Sequence, residues 1–106
     1  MIEGKMKADV VYESENVFAF KDISPQAPVH ILIIPKKHIP TLNDIKAEDK
    51  LLIGEMLLVA QEIAEKFGLS EKGYRTVFNC NRDAGQAVYH IHLHLLGGRK
   101  LQWPPG

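Results

Sequence analysis

The chain has 106 residues, enough for one domain with a modest core and too few for a separate regulatory module. Lys and Arg number 13 and Asp and Glu 13, so the formal net charge is zero, which excludes a generic polybasic binder of nucleic acid or anionic membrane. Hydrophobic residues at 45% and charged residues at 25% exclude a disordered chain, and the single cysteine, Cys80, excludes an intrachain disulfide framework.

The opening residues, Met1-Ile2-Glu3-Gly4-Lys5-Met6-Lys7, lack the apolar stretch of a signal peptide. No apolar run approaches the ~18–20 residues that span a bilayer, so the expectation is a cytoplasmic protein. Val10-Val11-Tyr12 and Val17-Phe18-Ala19-Phe20 are short β-prone runs on either side of Ser14-Glu15-Asn16, a polar break of hairpin length. Ser24-Pro25-Gln26-Ala27-Pro28 reads as a rigid loop, because two prolines fix φ and remove donors. Val29-His30-Ile31-Leu32-Ile33-Ile34-Pro35 is apolar on both faces except at His30, as in a strand covered on both sides.

Residues 46–67 form the one clear helix. Leu52, Met56, Val59, Ile63 and Phe67 recur at spacings of three or four, with Glu48 and Asp49 favouring its first turn and Gly68 its end. Gly54 inside it costs roughly 1 kcal/mol against alanine, which predicts close packing at that point. Residues 75–80 and 88–96 read as two further strands separated by the polar loop 81–86. The sum is an α+β fold, an antiparallel sheet of about five strands with one long helix, filling residues 1–106 as a single domain.

The chemistry concentrates at His90-Ile91-His92-Leu93-His94-Leu95-Leu96. On a strand, residues i, i+2 and i+4 share a face, ~6.5–7 Å apart in succession. Ile91, Leu93 and Leu95 therefore point to the core, and the three imidazoles form a row opposite. His30 adds a fourth if it lies on the same face of a nearby strand. Three readings compete: a surface row with no role, a metal site built on the i, i+2 pair, and covalent nucleotidyl or phosphoryl chemistry on imidazole. No carboxylate or thiolate sits beside the array in sequence, and spacing alone ranks the third only slightly above the second. Taken singly, Asp22 reads as a loop cap, Asn79 as a strand-end cap, His38 as solvated surface and Cys80 as a small hydrophobe.

His-hydrophobe-His-hydrophobe-His-hydrophobe-hydrophobe is the signature of the histidine triad (HIT) superfamily, and the chain resembles its HINT branch. Phe20-Lys21-Asp22-Ile23-Ser24-Pro25-Gln26-Ala27-Pro28, His30, Ile34-Pro35-Lys36-Lys37-His38, Gly73-Tyr74-Arg75, Gly85-Gln86, Leu96-Gly97-Gly98-Arg99 and the ending Trp103-Pro104-Pro105-Gly106 carry that resemblance, which runs from about Ile2 to the last residue. It implies a HIT-like fold, a two-fold homodimer and a purine nucleoside phosphoramidase acting on AMP or GMP conjugates. The bond cleaved is P–N, between a nucleoside 5′-monophosphate and an amine, with no cofactor, no metal, no nucleic acid and no membrane.

Residue by residue, the resemblance implies that His92 is the nucleophile, forming a nucleotidyl-imidazole that water hydrolyses. Attack needs a neutral ring, so the other nitrogen of His92 is expected to donate to a backbone carbonyl of its own strand. His90, His94 and His30 position the phosphate. Asp22 accepts from the ribose hydroxyls, with Ile23 and Phe20 beside it, and Asn79, Gly85, Gln86 and Ala87 contact phosphate and leaving group. Trp103 reaches the partner subunit's site.

The sequence departs from the pattern at Ala87, where a serine is common, and at Lys21, where a histidine is common. Relatives also continue upstream of its first residue, from which weaker contact with the base and no structural zinc are expected. The alternatives are a dinucleoside polyphosphate hydrolase of the same superfamily, against which the Trp-Pro-Pro-Gly ending argues, and a nucleotide-binding interaction module with vestigial catalysis.

Overall fold

The computed structural model describes residues 9–106; the reading of the opening residues falls outside them. Among the described residues five strands occur in chain order: β1 (Val10–Glu13), β2 (Val17–Lys21), β3 (Val29–Pro35), β4 (Tyr74–Phe78) and β5 (Leu93–Gly97). Between β3 and β4 lies the helix α1 (Lys50–Lys66). The strands form one antiparallel sheet in the order β1-β2-β3-β5-β4. The α+β architecture expected from the sequence is the one observed.

Alternation decides the two faces of this sheet. Opposite residues of an antiparallel ladder share a face, so the register pairs Ile31 with Leu95 and Ile33 with Leu93 on the helix side. It pairs Leu32 with His94 and His30 with Leu96 on the other. The helix-side set joins Val17, Ala19, Ile91 and the buried face of α1, namely Met56, Val59, Ala60, Ile63 and Ala64, in one core. Ile31, Ile33, Leu93 and Leu95 are at most 1% exposed, and burial of each contributes about 1.5–3 kcal/mol. The far face carries a second cluster, Phe18, Phe20, Leu32 and Ile34. Both faces of β3 are thus covered, as its composition predicted.

Four expectations need correction. The helix begins at Lys50, not at residue 46, and ends at Lys66. Ala47–Asp49 forms a 3₁₀ turn, held because the buried Asp49 accepts the Lys46 N–H at 2.9 Å and an ammonium hydrogen of Lys37 at 2.6 Å. Gly54 is exposed, and a Cβ there would meet nothing within 4 Å, so the expected close packing is not found at that point. The fourth strand covers Tyr74–Phe78, ending short of Cys80, and β5 starts at Leu93 rather than residue 88. The Ile91 N–H donates to the Ile39 carbonyl (2.8 Å), in the loop after β3 and outside the sheet ladder. Among the described residues no helix is long and apolar enough to cross a membrane.

Candidate active site

The register that builds the core also builds the histidine cluster. His30 on β3 and His94 on β5 emerge on the far face of adjacent strands, and His30 Nε2 lies 2.9 Å from His94 Nδ1. His92, just ahead of β5, places its ring edge-to-face with that of His94, the centroids 5.0 Å apart. Sequence spacing placed His92 and His94 on one face with His90, and His30 beside them on the condition that its strand lay nearby on the same face; that condition holds.

Their hydrogen bonds fix which nitrogen of each ring carries the proton. A backbone N–H can only donate, and Gln26 N–H points at His30 Nδ1 at 3.0 Å. Neutral His30 therefore carries its proton on Nε2 and donates it to His94 Nδ1. His94 in turn presents Nε2–H outward. Burial, reinforced by the neighbouring His92 and His30, pushes the His94 pKa down to about 4, so this ring is a neutral donor at pH 7. Burial also lowers His30, against the opposing pull of Asp22.

His92 has the opposite tautomer. Its Nδ1 lies 2.9 Å from the carbonyl oxygen of His90, and a carbonyl can only accept, so Nδ1 carries the proton and Nε2 keeps a lone pair. This is the backbone acceptor expected from the sequence. Two neighbouring rings thus offer complementary groups: a nucleophilic lone pair on His92 and a neutral N–H donor on His94.

His90 departs from the expected row. It is 5% exposed, its Nε2–H donates to the Pro35 carbonyl at 2.7 Å, and its Nδ1 faces Nδ1 of His38 at 3.2 Å. Both nitrogens of His90 are spent within the protein, so its ring does not join the other three. The cause is the late start of β5: His90 lies ahead of the ladder, and its buried ring goes to the Pro35 carbonyl rather than to His92 and His94, although Ile91 still turns inward with Leu93 and Leu95. Burial lowers the His90 pKa, outweighing the Pro35 hydrogen bond.

The remaining residues divide. Asp22 caps its loop, Oδ1 accepting from Ser24 N–H at 2.8 Å, while Oδ2 lies 3.5 Å from His30 Nε2. Ile23 is 92% exposed beside it, whereas Phe20 is buried in the far-face cluster. Lys21 lies over the Phe67 ring, 6.0 Å from its centroid. Asn79 lines a cavity of about 370 Å³ together with His30 and His94. Gly85, at φ +84°, closes the 3₁₀ turn Arg82–Ala84.

Gln86 is not free to meet a substrate through its side chain. The buried amide accepts from Asn81 N–H (2.8 Å) and donates to the carbonyls of Pro40 (2.7 Å) and Val88 (3.1 Å). Its own N–H goes to Asn81 and that of Gly85 to Arg82. The exposed Ala87 has no hydrogen-bond partner for its N–H among the described residues. Trp103 is 80% exposed, and the tail around it is held by Arg75 donating to the Gln102 carbonyl at 3.0 Å. Sequence reasoning missed Gln26 and Pro35, which act through the backbone and leave no side-chain signal.

Among the described residues, Asp22, His30 and His94 are a group whose ligand atoms approach closely enough to hold a metal ion. Two of those atoms already share a proton at 2.9 Å, and an ion would have to displace it. The arrangement as built is a proton-ordering network.

A far-face histidine cluster on a five-stranded antiparallel sheet defines a class of protein suited to nucleophilic chemistry on imidazole. The HIT domain model matches residues 3–101, and the chain belongs to that family. It is 55% identical over 101 residues to the purine nucleoside phosphoramidase of Escherichia coli K12, covering 95% of this chain and 85% of that protein. A crystal structure of a HIT family hydrolase from Legionella pneumophila superposes with TM-score 0.95 at 57% identity, over 100% of this chain and 95% of the other. The histidine triad nucleotide-binding protein of Candida albicans is more distant, with TM-score 0.79 at 30% identity over 97% and 78%.

Proposed function

We propose that this chain is a purine nucleoside phosphoramidase, hydrolysing the P–N bond of nucleoside 5′-phosphoramidates through a nucleotidyl-histidine intermediate. The observation that carries the mechanism is the pair of opposite tautomers on His92 and His94. The lone pair on His92 Nε2 attacks the α-phosphorus; the P–N bond to the amine breaks, and the leaving nitrogen takes up a proton from water as it departs. Water then attacks the same phosphorus, the bond to His92 breaks, and a nucleoside 5′-monophosphate is released. His94 Nε2–H and the unpartnered N–H of Ala87 are suited to hold the phosphoryl oxygens as charge develops. Asp22 Oδ2 is the acceptor for the ribose hydroxyls, with Ile23 against the base and Asn79 toward the phosphate.

The same reading makes the protein a cytoplasmic homodimer needing no metal. Leu51, Leu57 and Leu58 of α1 are 82%, 47% and 65% exposed, more apolar surface than one helix face of a monomer normally leaves to water. Gly54 lies between Leu51 and Leu58 on that surface, where a second helix can approach closely, and β4 lies at the sheet edge. Trp103 of the tail is free to reach the second copy.

The deciding experiment is turnover of an adenosine 5′-phosphoramidate by the pure protein, with a diadenosine polyphosphate as comparison. Rapid-quench mass spectrometry is expected to show a nucleotidyl adduct, which His92→Ala abolishes along with several orders of magnitude of turnover. Substantial activity in that variant, or preference for the polyphosphate, overturns the reading.

A further inference from the structure

His38 lies on the exposed loop after β3, and the mechanism above leaves it without a task. We infer that His38 is a positioning residue for the nucleophile, acting through the ring of His90 on the tautomer and aim of His92. The inference rests on the phosphoramidase reading for its kinetic consequence and on hydrogen-bond geometry alone for its structural one.

The Pro35 carbonyl takes the proton on His90 Nε2 at 2.7 Å, so in the neutral ring Nδ1 is an acceptor. The group opposite it, 3.2 Å away, is His38 Nδ1, which must therefore donate. The two rings meet edge-on, their centroids 5.2 Å apart. Held at both nitrogens, the buried His90 cannot rotate, and its main-chain carbonyl is the acceptor of the His92 Nδ1–H. His38 thus holds the ring of the residue whose main-chain carbonyl accepts the His92 Nδ1–H, the bond that selects the tautomer of the neutral His92 ring.

The loop carrying His38 is itself anchored on both sides of it. Lys36 N–H donates to the Asn16 carbonyl (2.8 Å), and the Lys37 ammonium pairs with the buried Asp49. Beyond His38, the carbonyl of Ile39 takes the N–H of Ile91, and that of Pro40 takes the amide of Gln86. Residues 36–40 form a fixed rail under the 86–92 segment, and His38 supplies that rail's contact to the ring of His90. A solvated surface histidine would need none of this.

The test compares His38→Ala, which removes the donor, with His38→Asn, whose amide nitrogen can replace Nδ1. On one phosphoramidate, His38→Ala is expected to lower kcat roughly five- to tenfold, the loss of about one hydrogen bond, with KM within about twofold. Nitrogen-15 NMR of the imidazoles is expected to show the Nε2–H form of His92 gaining population, and His38→Asn is expected to recover most of both. An unchanged His92 tautomer, an unchanged kcat, or an asparagine variant no better than alanine overturns the inference. If the parent fails to turn over, the functional reading fails, and the NMR comparison decides the inference by itself. His38→Phe, which keeps the ring and removes the donor, serves should the alanine variant not fold.

Discussion

The opposite tautomers of His92 and His94 make a quantitative demand on His94. Replacing it with phenylalanine keeps a planar ring in the half-buried position beside His30 and His92 but removes the Nε2–H. A hydrogen bond to a charged oxygen is worth about 1.5–3 kcal/mol, and one lost only in the transition state lowers kcat by the same free energy. That corresponds to roughly 10- to 150-fold in kcat, with a smaller change in KM. The leaving group separates this role from its rival. With its pKa near 4, His94 has no proton to give as an acid at pH 7, so its donor serves the phosphoryl oxygens throughout. The loss is therefore expected to be equal for a poorly leaving aliphatic amine and a readily leaving aromatic one. Steady-state kcat values for His94→Phe on that pair of AMP conjugates make the measurement. A loss below threefold removes His94 from the transition state. A loss that collapses with the better leaving group makes it the general acid, contrary to the tautomer argument.

Three further outcomes follow from other parts of the structure. His30, His90 and His94 are all held below the ordinary histidine value in the folded protein, so the unfolded chain takes up more protons as pH falls below about 6.5. Stability is accordingly present above that pH and lost below it; the urea midpoint is expected to be lower at pH 5 than at pH 7, and an equal or higher one contradicts the burial described. Gln86→Leu strands an N–H and two carbonyls that the amide now satisfies, at about 1 kcal/mol each and so about 3 kcal/mol in all, measurable as a fall in denaturant midpoint at fixed protein concentration. Leu58→Arg, at a side chain 65% exposed in the protomer, is expected to leave the fold intact and convert dimer to monomer by light scattering; a parent that is already monomeric refutes the interface.

What was legible in the sequence was whatever a side-chain pattern encodes. The runs at Val17 to Phe20 and Val29 to Pro35, the helical spacing from Leu52 to Ile63, and the inward set Ile91, Leu93 and Leu95 all stand as their hydrophobicity indicates. His30 meeting His94 required only that their strands be neighbours in register, which the alternation of β3 and β5 enforces. The same alternation misled at residues 88–92, because it continues past the point where the ladder stops and the Ile39 carbonyl takes over. The tautomer of His92 was expected, because attack requires it; those of His30 and His90 were hardest to see, since Gln26 and Pro35 set them through main-chain groups, which no composition reveals.

His30 sits on β3, the central strand of this sheet, and His94 on the neighbouring β5, 64 positions away in the chain. Hydrogen exchange opens a sheet from its margins, so amides of β1 can exchange many times while the bond between these two rings persists. Their meeting also waits on a non-local strand pairing, which comes slowly in refolding because the intervening loop must close first. Regained phosphoramidase activity in a refolding chain is therefore a late event, trailing the helical signal of α1, whose backbone hydrogen bonds are local. The histidine cluster reports on the β3–β5 pairing rather than on the margins of the sheet.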